Sequence, residues 1–284
     1  MSAQIIDGKA IAQSIKDKLK AEVITLRAAA ERAPCLAVVL VGNDPASEVY
    51  VGHKKKACAE VGIESRSITL AGDITQAALE QHLKQLNEDP SVDGILLQLP
   101  LPAHLNSQSA IDLISPRKDV DGLTPVSQGL LIWRRPAHVS CTPAGIMELV
   151  RSTGINLTGK RAVVIGRSVL VGAPVATLLG HAGATVTGVH SKTVNPAAIC
   201  READVLVVAA GVKHLVGSEW IKPGAVVIDV GIHRGEDGKL TGDVDFKEVA
   251  AKAAWITPVP GGVGPMTIVS LLRNCVSAFK ARKP

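Results

Sequence analysis

Apolar residues recur along this chain in two rhythms. Ile11, Ile15, Leu19, Val23 and Leu26 stand three or four apart, the spacing of one helix face, and predict a long first helix. CLAVVLVG (35–42) is instead a short continuous apolar run, as expected of a parallel strand covered on both faces. NDPAS supplies turn and capping residues, and the segment VYVGHKKKACAEVGI (49–63) reads as the helix that follows. IESRSITL predicts a second strand, TQAALEQHLKQLN a helix, and GILLQLPLP (94–102) a third strand stopped by Pro100 and Pro102. The rhythm then repeats. TPAGIMELVRSTG predicts a helix with Pro143 near its first turn and Gly154 at its end. KRAVVIG, ATVTGVH, DVLVVAAG, AVVIDVG and AWITPV are strand candidates, and PMTIVSLLRNCVSAFKARK is the last helix. Alternation of strand and helix throughout predicts an α/β fold with parallel sheets. SPRKDVDG and WRRPAHVSCTP carry loop signals and place a domain break between about 115 and 142.

Composition narrows the function classes. With 284 residues the chain can form one large domain or two modest ones, and 46% hydrophobic against 20% charged residues is a globular balance. Aromatics are only 2%, so the core must be aliphatic, and platforms for stacking single-stranded nucleic acid are scarce. The net charge of +5 is mild, and no dense basic cluster exists beyond Lys54–Lys56 and the tail KARKP. An anionic small molecule suits that balance as well as a polymer does, and no nucleic-acid partner is expected. The cysteines, Cys35, Cys58, Cys141, Cys200 and Cys275, are odd in number and lack CxxC spacing, which argues against a disulfide framework and a zinc site; no metal is expected. MSAQIIDGKAIAQS lacks the layout of a signal peptide, and no run of about 18 apolar residues could span a membrane. The expectation is a soluble, cytoplasmic protein.

Candidate chemistry gathers at a few positions. On a helix, Tyr50 and Lys54 stack one turn apart, with Ala46, Ala57 and Val61 near the same stripe. Lys55 and Lys56 fall on the polar side and read as solvated. Lys54 sits where a core residue belongs; it either snorkels its charge to water or does chemistry, and helix geometry does not choose. Gln98 lies at the carboxyl end of an apolar run, where open α/β sheets bind ligands; it pairs with backbone there or orients Lys54. Asp119 and Asp121 in RKDVDG are turn residues, or one of them binds a donor-rich heterocycle.

The strongest local motif is KRAVVIGRSVLVGAPVATLLGHAGATVTGVHSKT (160–193). A strand ends at Gly166 and a helix begins near Gly172, so the glycines permit a tight turn and the helix N-terminus faces an anion. Ser168 stands where the dinucleotide motif has its second glycine. The next strand ends in His190-Ser191-Lys192-Thr193 without the carboxylate of an NAD site. That basic, hydroxyl-rich corner suits the 2′-phosphate of NADP, with Arg167 as a planar partner, unless Ser191 and Thr193 merely make the turn. PVPGGVGPMT (258–267) is a loop of close backbone approach held by proline.

SEVYVGHKKKACAEVGI, GILLQLPLP, RKDVDG, GRSVLVGAP, HSKT, GDVDF and PVPGGVGPMT, in this order, resemble the bifunctional methylenetetrahydrofolate dehydrogenase/cyclohydrolase family over essentially the whole chain. The resemblance implies two α/β domains with the active-site cleft between them. The first would be a folate-binding catalytic domain over 1–120, with the last helix (265–284) packing back on it. The second would be a Rossmann-like NADP-binding domain over 121–264. It implies a homodimer and two reactions: NADP-dependent oxidation of 5,10-methylenetetrahydrofolate to the 5,10-methenyl form, then hydrolysis to 10-formyltetrahydrofolate, an interconversion that supplies purine synthesis. On matching positions Tyr50 would stack on the folate, Lys54 would be the catalytic lysine tuned by Gln98, and Asp121 would hold the pterin. Leu97 and Leu99 beside Gln98, and Pro260, Gly261, Gly262, Val263 and Gly264, would line the folate pocket. Gly166, Arg167, Ser168, Ser191 and Ile232 would bind NADP. Val169, Leu123, Thr124, Ser140 and His233 depart from the family pattern, which usually has Asn, Phe, His, Pro and Asn there; the departures bear on cofactor affinity and pocket shape.

Overall fold

The run CLAVVLV is apolar on both faces, so it can be stable only with cover on both sides. In the computed structural model, which describes residues 2–282, it has that cover. The chain begins with β1 (Gln4–Ile5) and α1 (Gly8–Ala30), then alternates through β2 (Cys35–Val41), α2 (Pro45–Val61), β3 (Glu64–Leu70), α3 (Gln76–Glu88) and β4 (Gly94–Leu97). Two short helices follow, α4 (Ser107–Asp112) and α5 (Pro125–Ile132). Residues Ser14–Cys141 and the chain from Ile268 onward form one compact unit.

Its sheet has the parallel order β3–β2–β4. Side chains alternate across β2 with period two, which divides the core. Leu36 and Val38 pack with Leu19 and Val23 of α1 and with Ala57, Cys58 and Val61 of α2, while Ala37, Val39 and Val41 pack with Leu79, Leu83 and Leu86 of α3. The third predicted strand ends at Leu97, before Gln98. The stretch 115–142 is not all loop, because α5 occupies its middle. Thr124 caps that helix, its hydroxyl accepting from Ser127 N–H at 3.2 Å, and Pro125 fills the first turn.

The second unit contains the chain through Gln13 and Thr142–Thr267. Its elements are α6 (Cys141–Ser152), β5 (Arg161–Ile165), α7 (Gly172–His181), β6 (Thr185–Val189), α8 (Pro196–Cys200), β7 (Val205–Val208) and β8 (Val226–Asp229). A hairpin of two-residue strands, β9 (His233–Arg234) with β10 (Leu240–Thr241), precedes α9 (Phe246–Ala250) and β11 (Trp255–Ile256); α10 (Val263–Ala281) begins in this unit, and its residues from Ile268 belong to the other. Six parallel strands run in the order β1–β11–β8–β7–β5–β6. β7 and β8 are buried throughout, as their apolar runs require, and Val163 and Ile165 of β5, Val189 of β6 and Ile256 of β11 pack in the same core. Lys283 and Pro284 of the basic tail lie outside the described residues. Among the described residues no helix is long and apolar enough to cross a membrane.

Candidate active site

The α2 helix starts and stops as NDPAS and the later glycine dictate. Asp44 accepts from Ser47 N–H at 2.8 Å, Pro45 sits in the first turn, and Gly62 ends the helix in the left-handed conformation. Lys55 and Lys56 are exposed, whereas Lys54 is half-buried. Ala57 and Val61 are buried on its stripe, but Ala46 is exposed and so is Tyr50, at 41%. The stripe is therefore apolar only in its second half, and Tyr50 presents its ring one turn before Lys54 on an open face.

Lys54 Nζ donates to Gln98 Oε1 at 2.8 Å. Gln98 in turn donates through Nε2 to the Leu99 carbonyl at 2.6 Å, and its own N–H donates to Val39 O at 2.8 Å. The amide thus has both predicted partners, backbone and lysine, and its oxygen is fixed toward the amine. Leu97 is buried and Leu99 half-buried on either side of it. Burial pushes the Lys54 ammonium below the ordinary lysine value of 10.5, against the opposing fields of Asp121, Cys141 and Cys58. Burial likewise pushes the Asp121 carboxyl up, opposed by Lys54 and by a hydrogen bond from Cys141. A half-desolvated amine and a half-desolvated carboxyl therefore share one charged neighbourhood.

The two aspartates of RKDVDG separate cleanly. Asp119 is buried and fully engaged: Oδ1 accepts from Leu123 N–H at 3.1 Å, and Oδ2 from Thr124 N–H at 2.8 Å and Ser127 Oγ at 2.7 Å. It is the turn residue. Asp121 is half-buried, its carboxyl in the field of Lys54.

In the other unit, Gly166 ends β5 with φ of +109°, and a Cβ there would stand 2.2 Å from Ala209 O; a Cβ on Gly172 would stand 2.2 Å from Gly166 O. Only glycine fits this turn, and α7 begins beyond it without a side-chain cap. Ala173 N–H donates to Ser168 O and Val175 N–H to Val171 O, both at 3.0 Å, and Pro174 has no N–H, so what this turn offers a ligand is close approach to backbone rather than a row of free amides. Arg167, Ser168 and Val169 are exposed along it. At the end of β6, Thr193 makes the turn, its hydroxyl accepting from His190 N–H at 3.0 Å, while Ser191 and Lys192 are exposed. Ile232, after β8, is 47% exposed. The residues present fit a dinucleotide carrying an extra phosphate. Pro260–Gly264 belongs to this unit as well, following β11 and running into α10.

These two sets of residues have a family likeness over their whole length. Residues 6–121 match the tetrahydrofolate dehydrogenase/cyclohydrolase catalytic domain, and residues 140–283 match its NAD(P)-binding domain. The chain belongs to the tetrahydrofolate dehydrogenase/cyclohydrolase family. It carries the dehydrogenase and cyclohydrolase activities of that family in folate one-carbon metabolism, with NADP as cofactor. The bifunctional protein FolD of Agathobacter rectalis is 51% identical over 98% of this chain and 99% of its own. The crystal structure of FolD from Campylobacter jejuni superimposes with a TM-score of 0.97 at 47% identity, covering 99% of this chain and 100% of that one. The enzyme of Trypanosoma brucei, solved with NADP cofactor and inhibitor, gives 0.95 at 44% identity with both chains fully covered.

The departures from the family pattern have local work. Thr124 caps α5, Ser140 donates to Gly122 O at 2.9 Å and accepts from Gln128 at 2.7 Å, and His233 meets Asp243 at 2.7 Å. Two contributors had no signal in the sequence. Cys141 sits beside Asp121 with its thiol donating to Val120 O at 3.3 Å, and burial raises that thiol well above its ordinary value. Asn274 of α10 donates to Val120 O at 2.8 Å and Val139 O at 2.9 Å, holding the strand of chain on which Asp121 lies. Asn274 acts across more than a hundred residues and Cys141 across about twenty, both beyond the reach of periodicity or spacing.

Proposed function

We propose that Lys54, Gln98, Asp121 and Tyr50 are the reaction centre for both folate steps. The observation that carries this is the hydrogen bond from Lys54 to Gln98, which holds a half-buried amine at a fixed point beside Asp121. Bound NADP supplies the hydride acceptor for oxidation of the methylene bridge. That step is assisted by the folate's own nitrogen lone pairs and asks the protein for placement rather than for a strong base. Tyr50, exposed one turn before Lys54, offers its ring face to the folate. Asp121 offers acceptor oxygens to the donor-rich edge of the pterin.

Hydration of the methenyl carbon does need proton transfer. Water adds to that carbon, a proton leaves the water, and the nitrogen released by ring opening takes one up. Lys54, its amine favoured by burial, accepts the first proton and returns one to the departing nitrogen. Gln98 keeps the amine pointed at that carbon through Oε1. In the cofactor-binding unit, Gly166, Arg167 and Ser168 cradle the phosphates, Arg167 and Ser191 select the 2′-phosphate, and Ile232 packs on the cofactor. Pro260–Gly264 lines the folate pocket. The reading extends to a homodimer in the cytoplasm, supported by the family resemblance and by five free, buried thiols that suit a reducing compartment.

The test is a spectroscopic assay with 5,10-methylenetetrahydrofolate, run in parallel with NADP+ and NAD+ and following reduced cofactor and methenyl intermediate separately. Reduced cofactor with NADP+ and little methenyl accumulation is the expected outcome. Methenyl build-up beyond spontaneous hydrolysis would remove the cyclohydrolase role of Lys54, and equal turnover with NAD+ would remove the 2′-phosphate role of Arg167 and Ser191.

A further inference from the structure

The loops after β7 and β8 leave the sheet at its carboxyl ends, where an open α/β sheet binds its ligand. They are tied together by two carboxylates, Asp229 at the end of β8 itself and Asp243 from the segment before α9. Asp243, wholly buried, accepts through Oδ2 from Ala210 N–H at 2.7 Å and Gly211 N–H at 2.9 Å, both in the loop after β7. Its Oδ1 lies 2.7 Å from His233 Nε2, on β9 just past Ile232. An ionised carboxylate only accepts, so Nε2 carries the proton. The backbone N–H of Asp243 donates to Asp229 Oδ1 at 3.0 Å, which also accepts from Gly231 N–H at 3.0 Å. Asp229 Oδ2 takes Val244 N–H at 3.1 Å, and the Asp229 N–H donates to Thr257 Oγ1 at 2.8 Å.

One knot thus fixes four backbone segments: the end of β7, the end of β8, the segment 242–244 and the start of the loop after β11. Desolvation raises the Asp229 carboxyl to about 6 although three N–H donors favour its charged form. A fold seeking stability alone would not bury two carboxylates this close together. What the knot does is set the height of residues 209–212 and 230–232, including Ile232, along the strand ends.

We infer that Asp243, oriented by His233, is a positioning residue for the dehydrogenase reaction. It holds the loops after β7 and β8 in the form that receives the nicotinamide end of the cofactor. The inference rests on the reading that this unit binds NADP through Ile232.

The experiment compares Asp243→Asn, His233→Leu and His233→Gln with the unsubstituted protein. Dehydrogenase kcat and KM for NADP are read beside the cyclohydrolase rate on methenyltetrahydrofolate without cofactor, and urea midpoints are recorded. Losing a charge-assisted partner to two amides should raise the KM for NADP or lower dehydrogenase kcat about ten-fold in Asp243→Asn. His233→Leu should move the same parameters in the same direction. His233→Gln should return within about two-fold of the starting protein, because its Nε2 reaches where the imidazole Nε2 stands. The cyclohydrolase rate should hold in all three. Unchanged dehydrogenase kinetics in both Asp243→Asn and His233→Leu overturn the inference. So does a parallel loss of both activities in His233→Leu that glutamine does not relieve, since that marks general scaffolding. Failure of the unsubstituted protein to reduce NADP is a separate result that removes the parent reading, and the inference with it.

Discussion

At the scale of single residues, three adjacent lysines have two fates. Helical rotation of ~100° per residue sends Lys55 and Lys56 to solvent and leaves Lys54 against Gln98. Replacing Lys54 by Met keeps the stem and removes the amine. The cyclohydrolase rate should then fall at least about a hundredfold, the usual scale of a lost acid–base group, with the far-ultraviolet circular dichroism unchanged. Near-normal conversion of the methenyl form by that variant defeats the assignment. The pH dependence has a definite sign. Burial lowers the lysine, and the neutral amine is the active form, so the cyclohydrolase rate should rise with pH along a limb centred below 10.5. Gln98→Glu places a negative charge on the amine and favours its protonated form. The limb should therefore move to higher pH in that variant, and a limb that stays put or moves down excludes Lys54 as its source.

At the scale of elements, Asp119 shows how a carboxylate beside the site works structurally. It satisfies the N–H groups of Leu123 and Thr124 and the hydroxyl of Ser127 at the start of α5. Asp119→Ala leaves those donors buried without a partner, and at ~1 kcal/mol each the loss should be about 3 kcal/mol, read as a lower urea midpoint. A midpoint unchanged from the starting protein means that water replaces the carboxylate. The elements legible in the sequence were those whose signals are local. CLAVVLV declared a two-faced strand, and Asp44, Pro45 and Gly62 declared the ends of α2, because each carries its reason within a few residues. The α5 helix was missed because Val126, Ile132 and Trp133 are exposed and give it no inward stripe. The strands β1, β9 and β10 have two residues each, too few to show a period, whereas β11, equally short, lies within the strand candidate AWITPV; β1 is recruited by pairing with Trp255 and Ile256 at the far end of the chain. Cys141 beside Asp121 and Asp229 behind Asp243 are nearer in sequence, but each pair meets through a loop rather than along one element, so no period joins them. Lys54 and Gln98 stand out in the sequence because a polar group on an apolar stripe or strand end is an anomaly that needs a partner, and the two are hydrogen-bonded to each other. Which partner it finds is a tertiary fact.

At the scale of the whole molecule, the cofactor should act on stability as well as chemistry. The unfolded chain has no turn at Gly166, so NADP binds the folded form alone and stabilises it by mass action. At a hundred times its dissociation constant the gain is about 2.7 kcal/mol, which for a chain of this length raises Tm by roughly 5 °C. NAD differs only in lacking the 2′-phosphate, so the difference between the two shifts isolates what the exposed Arg167 and Ser191 contribute. At equal concentration NADP should give the larger shift. Arg167→Ala should bring the two curves together by lowering the NADP shift while leaving the NAD shift in place, because the turn glycines still admit the shared diphosphate. Added salt should narrow the gap in the starting protein, since both partners of that contact face solvent. Equal shifts with NADP and NAD would mean that the corner after β6 does not read the 2′-phosphate. A gap that survives Arg167→Ala would move the discrimination to its neighbours Ser191 and Lys192, the remaining exposed donors at the end of that strand.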